Sequence, residues 1–323
     1  MYMLRLILIS LIFSSCHIFL DEKLPDRSIN FHEQLADGAE GYLKDLVNLG
    51  NSEFTILSSA PPAAFFKKGE FKDFQKNEEY LFKLANERGP SLKVICTLNP
   101  NPQSDAVLKE LEQCLSKKAL GVKSYHLHGP IAAKFQSGDP ISYETYRKIF
   151  KLLESRRKIF FLLSNNKEKV QNILNIAKEF RHLPVYCPNF CFMANQLDKL
   201  EQLLKEFPNL IIGYSFLYPK VFYKFLRKQK LQQVKDFFLK HQDRIFYESS
   251  LILDANEIMS DRYLYWNLKN QYSYLKFPIF SYFSPPVIKK AQNFPGLGLS
   301  DKIIDKIFYS NASGLLNSLS NSR

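Results

Sequence analysis

The stretch SINFHEQL, residues 28–35, opens the repeating pattern that decides the fold. Apolar and polar residues alternate in it, as they do in a β-strand with a buried face. Because side chains of a strand alternate with period two, His32 and Gln34 point to the same side. The strand therefore presents one imidazole, followed by an amide at the position where a second histidine of a metal-binding pair would stand.

Seven further strand-like runs follow, several of them almost continuous in large apolar residues, as in strands covered on both faces. Between them lie stretches with apolar residues at helical spacing, such as Val107, Leu108, Leu111 and Leu115. Eight strands alternating with helices predict an α/β fold, a closed (β/α)₈ TIM barrel, with an open doubly wound sheet as the alternative. The seven runs are EFTILSS (53–59), LKVICTL (92–98), VKSYHLH (122–128), KIFFLLS (158–164), PVYCPNF (184–190), NLIIGYS (209–215) and RIFYESS (244–250).

The amino terminus has the pattern of an export signal. MYMLR is followed by LILISLIF (6–13) and then by Ser-Ser-Cys. Such a run is too short to cross a hydrocarbon core about 30 Å thick, but it suits the apolar region of a signal peptide. Cys16 resembles the acylated cysteine of a bacterial lipoprotein, although Phe13 stands where such signals usually have leucine. A plain secretory signal and an uncleaved anchor are the alternatives.

This pattern divides the chain into a signal peptide (1–15), a tether after a lipidated Cys16 (16–27) and one barrel domain (28–323). It predicts an exported bacterial lipoprotein of the cell membrane or outer membrane, which meets a membrane through its lipid and meets no nucleic acid. The net charge of +12, from 44 Lys and Arg against 32 Asp and Glu, favours anionic partners, although the basic residues form no long block.

Four cysteines remain if Cys16 carries lipid. Cys96 lies in a strand pattern and Cys114 in a helical one, so we expect both to be buried thiols. Cys187 and Cys191 stand four apart around Pro188 and could pair or bind metal in an oxidising compartment. With no second pair of matching spacing, we expect them also to be buried and free.

Five motifs in order along the chain resemble the amidohydrolase-related barrels, a family of metal-dependent hydrolases and decarboxylases. They are INFHEQL (29–35) for the family's opening Ile-Asp-x-His-x-His, GVK (121–123) at the fourth strand, FPNL (207–210) before the seventh, DRIFYESS (243–250) for Asp-Arg-Ile-x-x-Gly-Thr-Asp, and LSDKIIDKIFYSNASGLL (299–316) for the final helix. The resemblance implies a TIM barrel with a divalent metal such as zinc at the carboxyl ends of its strands.

The metal ligands that the resemblance implies are mostly missing. Gln34 replaces the second histidine, and the fifth strand ends in Leu163, Ser164 and Asn165. Pro188 or Asn189 stands where the sixth strand often has histidine, and Ser250 where the eighth has aspartate. Neutral amides and hydroxyls are poor ligands for zinc. We therefore expect no bound metal and no catalytic residue, and a site that has degenerated.

A rebuilt metal site is the competing hypothesis. The His-x-His of HLH (126–128), together with His32 and Glu248, would supply three imidazoles and a carboxylate to an active metal-dependent hydrolase or carboxylate lyase. If Lys123 points into the barrel, however, period two turns His126 and His128 outward unless a bulge intervenes.

The sequence thus predicts an amidohydrolase-like barrel that binds a small polar or anionic ligand, or a partner, without transforming it. Seven polar residues at strand ends are expected to line its pocket: His32, Gln34, His126, Asn165, Asn189, Glu248 and Ser250.

Overall fold

The computed structural model describes nine segments of the chain. They are residues 24–36, 38–59, 74–98, 104–124, 141–164, 166–216, 218–253, 261–284 and 290–320. The signal peptide, Cys16, His126, His128 and Asn165 lie outside the described residues.

Nine parallel strands form one curled sheet, in which the first eight pair in chain order and the ninth pairs with the first. This is the α/β TIM-barrel architecture that the sequence predicts, since consecutive parallel strands are joined by helices. The strands are β1 (Ser28–Leu35), β2 (Ser52–Ser59), β3 (Leu92–Leu98), β4 (Gly121–Ser124), β5 (Ile159–Leu162), β6 (Val185–Cys187), β7 (Leu210–Tyr214), β8 (Ile245–Tyr247) and β9 (Ile252–Leu253).

Helices cover the outside of the sheet, and an antiparallel hairpin of β10 (Ile279–Tyr282) and β11 (Gln292–Pro295) follows it. A π-helical turn, Lys306–Ser310, links the last two helices. The helices are α1 (Glu40–Leu49), α2 (Phe74–Arg88), α3 (Ser104–Ser116), α4 (Tyr143–Ser155), α5 (Lys167–Ala177), α6 (Leu197–Glu206), α7 (Pro219–Lys228), α8 (Leu231–His241), α9 (Asp261–Lys276), α10 (Asp301–Asp305) and α11 (Asn311–Ser320).

The barrel closes because two short strands, β8 and β9, share the position of the eighth strand. β8 pairs with β7, whereas β9, four residues later, pairs with β1. Between them Ser250 has a φ of 52°, and its amide donates to the His32 carbonyl at 3.0 Å. The Gln34 amide donates to the Leu251 carbonyl at 3.1 Å. This bond joins β1 to the segment between β8 and β9.

The interior of the barrel is apolar at its amino-terminal end. Ile29, Phe31 and Phe161 are buried there with side chains from neighbouring strands, and Leu315 and Leu316 of α11 pack against them. The carboxyl-terminal helix therefore closes this end, and the polar interior is confined to the carboxyl ends of the strands, where sites of such barrels lie.

All eight strand runs are confirmed, with differences at their ends. β6 stops at Cys187 because Pro188 and a left-handed turn follow, and β4 is described only as far as Ser124. Ser142 is an N-cap whose side chain accepts from the Thr145 amide.

The expectation of free buried thiols is wrong, because both cysteine pairs form disulfides. Helix α3 packs on β3 and brings Cys114 to Cys96, with their Cα atoms 6.3 Å apart. The left-handed turn after β6 folds Cys191 back to Cys187, at a Cα separation of 5.1 Å. Within the described segments no helix has the length and apolar character needed to cross a membrane.

Candidate functional site

The site begins at an irregularity in β1. Opposite β2 the register shifts between Asn30 and Glu33, so β1 carries one extra residue there. The extra residue lets Phe31 pack in the apolar interior while His32 and Gln34 both contact the same lysine from β4. His32 and Gln34 therefore share one side of the strand.

Lys123 lies at the centre of the buried polar atoms. Its Nζ is 2.9 Å from His32 Nε2, 2.9 Å from Gln34 Oε1 and 2.8 Å from Ser58 Oγ. Ser58 in turn donates to the Glu33 carbonyl at 3.2 Å. The side chain is wholly buried, and its amino group joins the carboxyl ends of β1, β2 and β4.

His32 connects this amino group to a carboxyl group. Its Nε2 faces Lys123, and its Nδ1 lies 3.2 Å from Glu248 Oε2 and 3.3 Å from Ser250 Oγ. Glu248 Oε1 accepts from the Asn189 amide at 2.6 Å, and the Asn189 side-chain amide donates to Ser250 Oγ at 3.0 Å. We call the seven residues involved the polar cluster: His32, Gln34, Ser58, Lys123, Asn189, Glu248 and Ser250.

Two proton arrangements are compatible with the contacts of Lys123, His32 and Glu248. In one, an ammonium donates to Nε2 and the Glu248 carboxyl is ionised. In the other, Nε2–H donates to a free amine and Glu248 is protonated. The second places no formal charge in the interior and still uses both amine hydrogens, on Gln34 and Ser58. Glu248 Oε2 lies 3.2 Å from Nδ1 but has no hydrogen-bond partner among the described residues.

Burial favours the uncharged arrangement. It raises the pKa of Glu248 to about 8, against hydrogen bonds from the Asn189 amide and the Tyr186 hydroxyl and the charge of Lys123. Burial likewise lowers the pKa of Lys123 well below its ordinary value, although Glu248 and Glu33 oppose this. The pKa of His32 is lowered by burial and by Lys123, so the imidazole is neutral.

The Asn189 contacts depend on an unusual backbone. Residues 189–192 all have φ between 52° and 57° and together form one left-handed turn. This backbone region is unfavourable for residues other than glycine. The turn aims the Asn189 amide at Glu248, and the Cys187–Cys191 disulfide spans it. Backbone in such a sparsely populated region is concentrated at functional sites.

Space for the Glu248 carboxyl comes from Gly213 on β7. A Cβ atom at this position would collide with the Glu248 carboxyl and with the Tyr186 hydroxyl. Below them, Phe31, Phe161 and Tyr186 are in mutual ring contact, with centroids 4.8–6.0 Å apart. The cluster therefore rests on an aromatic floor, and this apolar floor contributes to the burial that shifts its pKa values.

A second buried network lies beside the first. Asn30 donates to Glu33 at 3.0 Å and to Ser249 Oγ at 2.9 Å, and it accepts from the Ser249 amide at 2.9 Å. Ser249 Oγ also donates to Glu33. Burial raises the pKa of Glu33 well above its ordinary value, against the hydrogen bonds from Asn30 and the Gln34 amide. These contacts fix β1 to the end of β8.

The described residues of the polar cluster do not fit a divalent metal. Zinc needs about three donors within about 2.0–2.2 Å, each with a free lone pair. In both proton arrangements His32 Nε2 is committed to Lys123. Apart from the Glu248 carboxyl, the neighbouring donors are an amide and hydroxyls. Across the described segments no three His, Cys, Asp or Glu side chains form a group that could hold a metal.

Five of the seven residues predicted for the pocket come together: His32, Gln34, Asn189, Glu248 and Ser250. They form a closed network, at most 6% exposed. His126, His128 and Asn165 lie outside the described residues. Sequence reasoning did not assign Lys123 or Ser58 to the site. The match of GVK (121–123) to the family's fourth strand was the available signal for Lys123, and Ser58 gave none.

Comparisons with known proteins support the fold. No family model matches the sequence, and no curated protein gives a significant match. The chain is similar in structure to 2,6-dihydroxybenzoate decarboxylase from Rhizobium, at 13% identity and a TM-score of 0.54 over 90% of this chain and 98% of that one. It is also similar to an amidohydrolase from Burkholderia multivorans with bound zinc, at 11% identity and a TM-score of 0.53 over 89% and 98%.

A third similar structure is dihydroxybenzoic acid decarboxylase from Polaromonas sp. JS666 with bound manganese and an inhibitor, at 12% identity and a TM-score of 0.54 over 92% and 98% of the two chains. The resemblance to amidohydrolase-related barrels is thus confirmed at the level of the fold. Identities this low establish the fold alone.

The raised pKa of Glu248 gives a testable pH dependence. In the unfolded chain the Glu248 carboxyl ionises near pH 4.5, whereas in the folded protein it ionises only near pH 8. The stability that its protonated form contributes is therefore complete below pH 4.5 and is lost as the pH rises to about 8. Glu248→Gln mimics the protonated acid. We expect the variant to match the wild type near pH 5 and exceed it at pH 8.5, the difference growing by at most about 1.4 kcal/mol per pH unit.

Urea unfolding at pH 5.0, 7.0 and 8.5 measures this difference. Glu112→Gln, on the exposed face of α3, is the matched control and should follow the wild type at all three pH values. A Glu248→Gln variant that is equally destabilised at every pH would show that Glu248 is ionised throughout.

Proposed function

We propose that the chain is an exported, lipid-anchored barrel protein whose metal site has been replaced by a lysine-centred network, and that it binds a small polar ligand or a partner without transforming it. One observation carries the proposal. The Lys123 amino group lies within 2.9 Å of His32, Gln34 and Ser58, among the side chains at the carboxyl ends of the strands.

Lys123 opposes metal binding in two ways. It takes up the lone pair, or the hydrogen, of His32 Nε2, which would otherwise be the best metal ligand of the cluster. If protonated, it also places a positive charge in a fully buried space, where repulsion of a divalent ion is weakly screened. An amino group in this place therefore stabilises the cluster and competes with a metal.

Binding rather than catalysis is supported by the remaining polar groups. Asn189 Oδ1 is buried and, among the described residues, accepts no hydrogen bond. A buried acceptor without a donor costs free energy, so a ligand or water hydrogen at this point would be stabilising. A small molecule with a hydroxyl or amine hydrogen suits this position.

Export and lipid attachment are supported by the cysteines. Cys96–Cys114 and Cys187–Cys191 are both disulfides, and disulfides persist mainly in oxidising compartments outside the cytosol. The signal-like residues 1–15 and Cys16 suit the same destination.

Metal analysis tests the proposal directly. We expect the full chain, purified without chelators and then exposed to zinc or manganese, to retain less than about 0.1 equivalent, since zinc sites need three good donors. A His32→Ala variant should retain the same small amount, and EDTA should leave the thermal midpoint unchanged. A triple variant, Lys123→Ala with Gln34→His and Ser250→Asp, should bind more zinc than the wild type.

The competing function is an active metal-dependent hydrolase or carboxylate lyase with His32, His126, His128 and Glu248 as ligands. The contact between His32 and Glu248 favours it, as do the zinc and manganese in similar structures. It predicts about one equivalent of metal in the wild type, lost in His32→Ala and in His126→Ala, with activity that a chelator abolishes. That result would overturn the proposal.

A further inference from the structure

The amino-terminal end of the barrel carries an arc of basic residues. Because all strands of the barrel are parallel, the turns that enter them lie at one end, where α11 also packs. Three neighbouring turns, those before β4, β5 and β6, carry exposed cations. We call these five residues the basic rim: Lys117, Lys118, Arg156, Arg157 and Arg181.

The basic rim is not neutralised by the protein. Among the described residues none of its five side chains has a carboxylate within 4.0 Å. Other cations at the same end are paired: Lys178 with Glu206 at 2.5 Å, and Lys306 with Asp243 at 2.6 Å. The rim therefore keeps its positive potential.

The turns present these cations at some cost in backbone energy. Lys118 and Arg157 have φ of 66° and 52°, just after the ends of α3 and α4, where glycine is usual. The helix dipole favours one cation at such a place. The helix dipole does not account for a second cation in each turn, and both turns have one, at Lys117–Lys118 and at Arg156–Arg157.

The centre of this end carries no charge beside the rim. The exposed residues of α11, which closes this end, are uncharged and include Asn317, Ser318 and Ser320. Two acids do lie next to the rim: Glu154 accepts from the His182 amide, and Glu179 pairs with Arg147 at 2.9 Å. The five cations of the rim outnumber them.

We propose that the basic rim is a docking surface for the anionic headgroups of a lipid bilayer. The chain enters β1 at this same end, so the segment before Ser28 starts from the docking face. Twelve residues, 16–27, span at most about 40 Å when extended, which is enough to place a lipid at Cys16 beside that face. The rim acts on the membrane whether or not Cys16 is acylated.

Vesicle binding tests the inference. We compare the full chain with a rim variant in which all five cations become serine, using phosphatidylcholine vesicles with and without 30% phosphatidylglycerol. Each basic residue near an anionic surface strengthens partitioning about fivefold, so the rim variant should bind anionic vesicles at least about 100-fold more weakly. Binding to neutral vesicles should not change.

Two matched variants keep the result interpretable. The first replaces five exposed helix lysines, Lys44, Lys76, Lys109, Lys151 and Lys199, with serine, and should lose less than about fivefold because these lie away from the docking face. The second exchanges lysine and arginine within the rim and should bind like the wild type. Equal losses in the rim variant and the helix-lysine variant would overturn the inference.

Two further measurements separate the alternatives. If the rim variant loses binding to single-stranded RNA at 150 mM salt but not to anionic vesicles, the surface is for nucleic acid and the inference fails. Mass spectrometry of Cys16 addresses the proposed anchor. If Cys16 is unmodified and vesicle binding still depends on the rim, the proposed lipid anchor is overturned but the docking surface is not. If Cys16 is acylated and the rim variant binds vesicles like the wild type, the docking surface is overturned but the anchor is not.

Discussion

Lys123→Met lowers the free energy of unfolding by about 3–5 kcal/mol, because three buried polar atoms lose the partner that they share. Methionine has a similar length but no hydrogen-bonding group at its end. His32 Nε2, Gln34 Oε1 and Ser58 Oγ then lose the partner that Lys123 provides at 2.8–2.9 Å. Each buried polar atom left unpaired costs about 1–3 kcal/mol.

Urea unfolding at pH 7 measures the loss, and Lys93→Met is the control. Lys93 lies on the neighbouring strand β3, half-buried over the ring of Phe54, and is outside the polar cluster. Its replacement should change the free energy of unfolding by no more than about 0.5 kcal/mol. A Lys123→Met protein as stable as the wild type would mean that the amino group is not the centre of the network.

Gly121→Ala lowers the free energy of unfolding by at least about 3 kcal/mol, because the added methyl group has no space. Gly121 pairs with Ile159 in the register of β4 and β5, and a Cβ atom there would lie 2.9 Å from the Ile159 carbonyl carbon and closer to its oxygen. The obstacle is backbone, so no change of rotamer relieves it, and the two strands must separate.

The control substitutions are Gly41→Ala in α1 and Gly314→Ala in α11, where a Cβ atom meets nothing within 4 Å. Alanine is the better helix former by about 0.5–1 kcal/mol, so both should be slightly more stable than the wild type. Thermal unfolding of the three variants measures the contrast. A Gly121→Ala protein that unfolds at the wild-type temperature would contradict the close approach of β4 and β5.

The strands of the barrel were predictable because several of them are runs of large apolar residues and β1 alternates with period two. LKVICTL matches β3 residue for residue. The hairpin of β10 and β11 was not foreseen, since QNFP has exposed polar residues and no apolar repeat. The end of β6 was misplaced because four residues with positive φ follow Pro188. Glycine is the residue from which a positive φ is usually predicted, and none stands there.

Five members of the polar cluster were predictable, but its centre was not. Period two along SINFHEQL placed His32 and Gln34 on one side, and both contact Lys123. No local pattern shows that a lysine from β4 fills the space between them, because this depends on the curvature that brings three strands together. The Cys96–Cys114 disulfide was missed for the same reason, since packing of α3 on β3 joins residues 18 apart.

The division of the last strand into β8 and β9 gives two residues of the polar cluster a second role. The backbones of His32 and Gln34 carry hydrogen bonds that join the first strand to the last, to Ser250 and Leu251, while their side chains meet at Lys123. The closure of the barrel and the arrangement of its polar interior therefore depend on the same two residues of β1. A substitution that displaces the backbone there should disturb the cylinder and the buried network together.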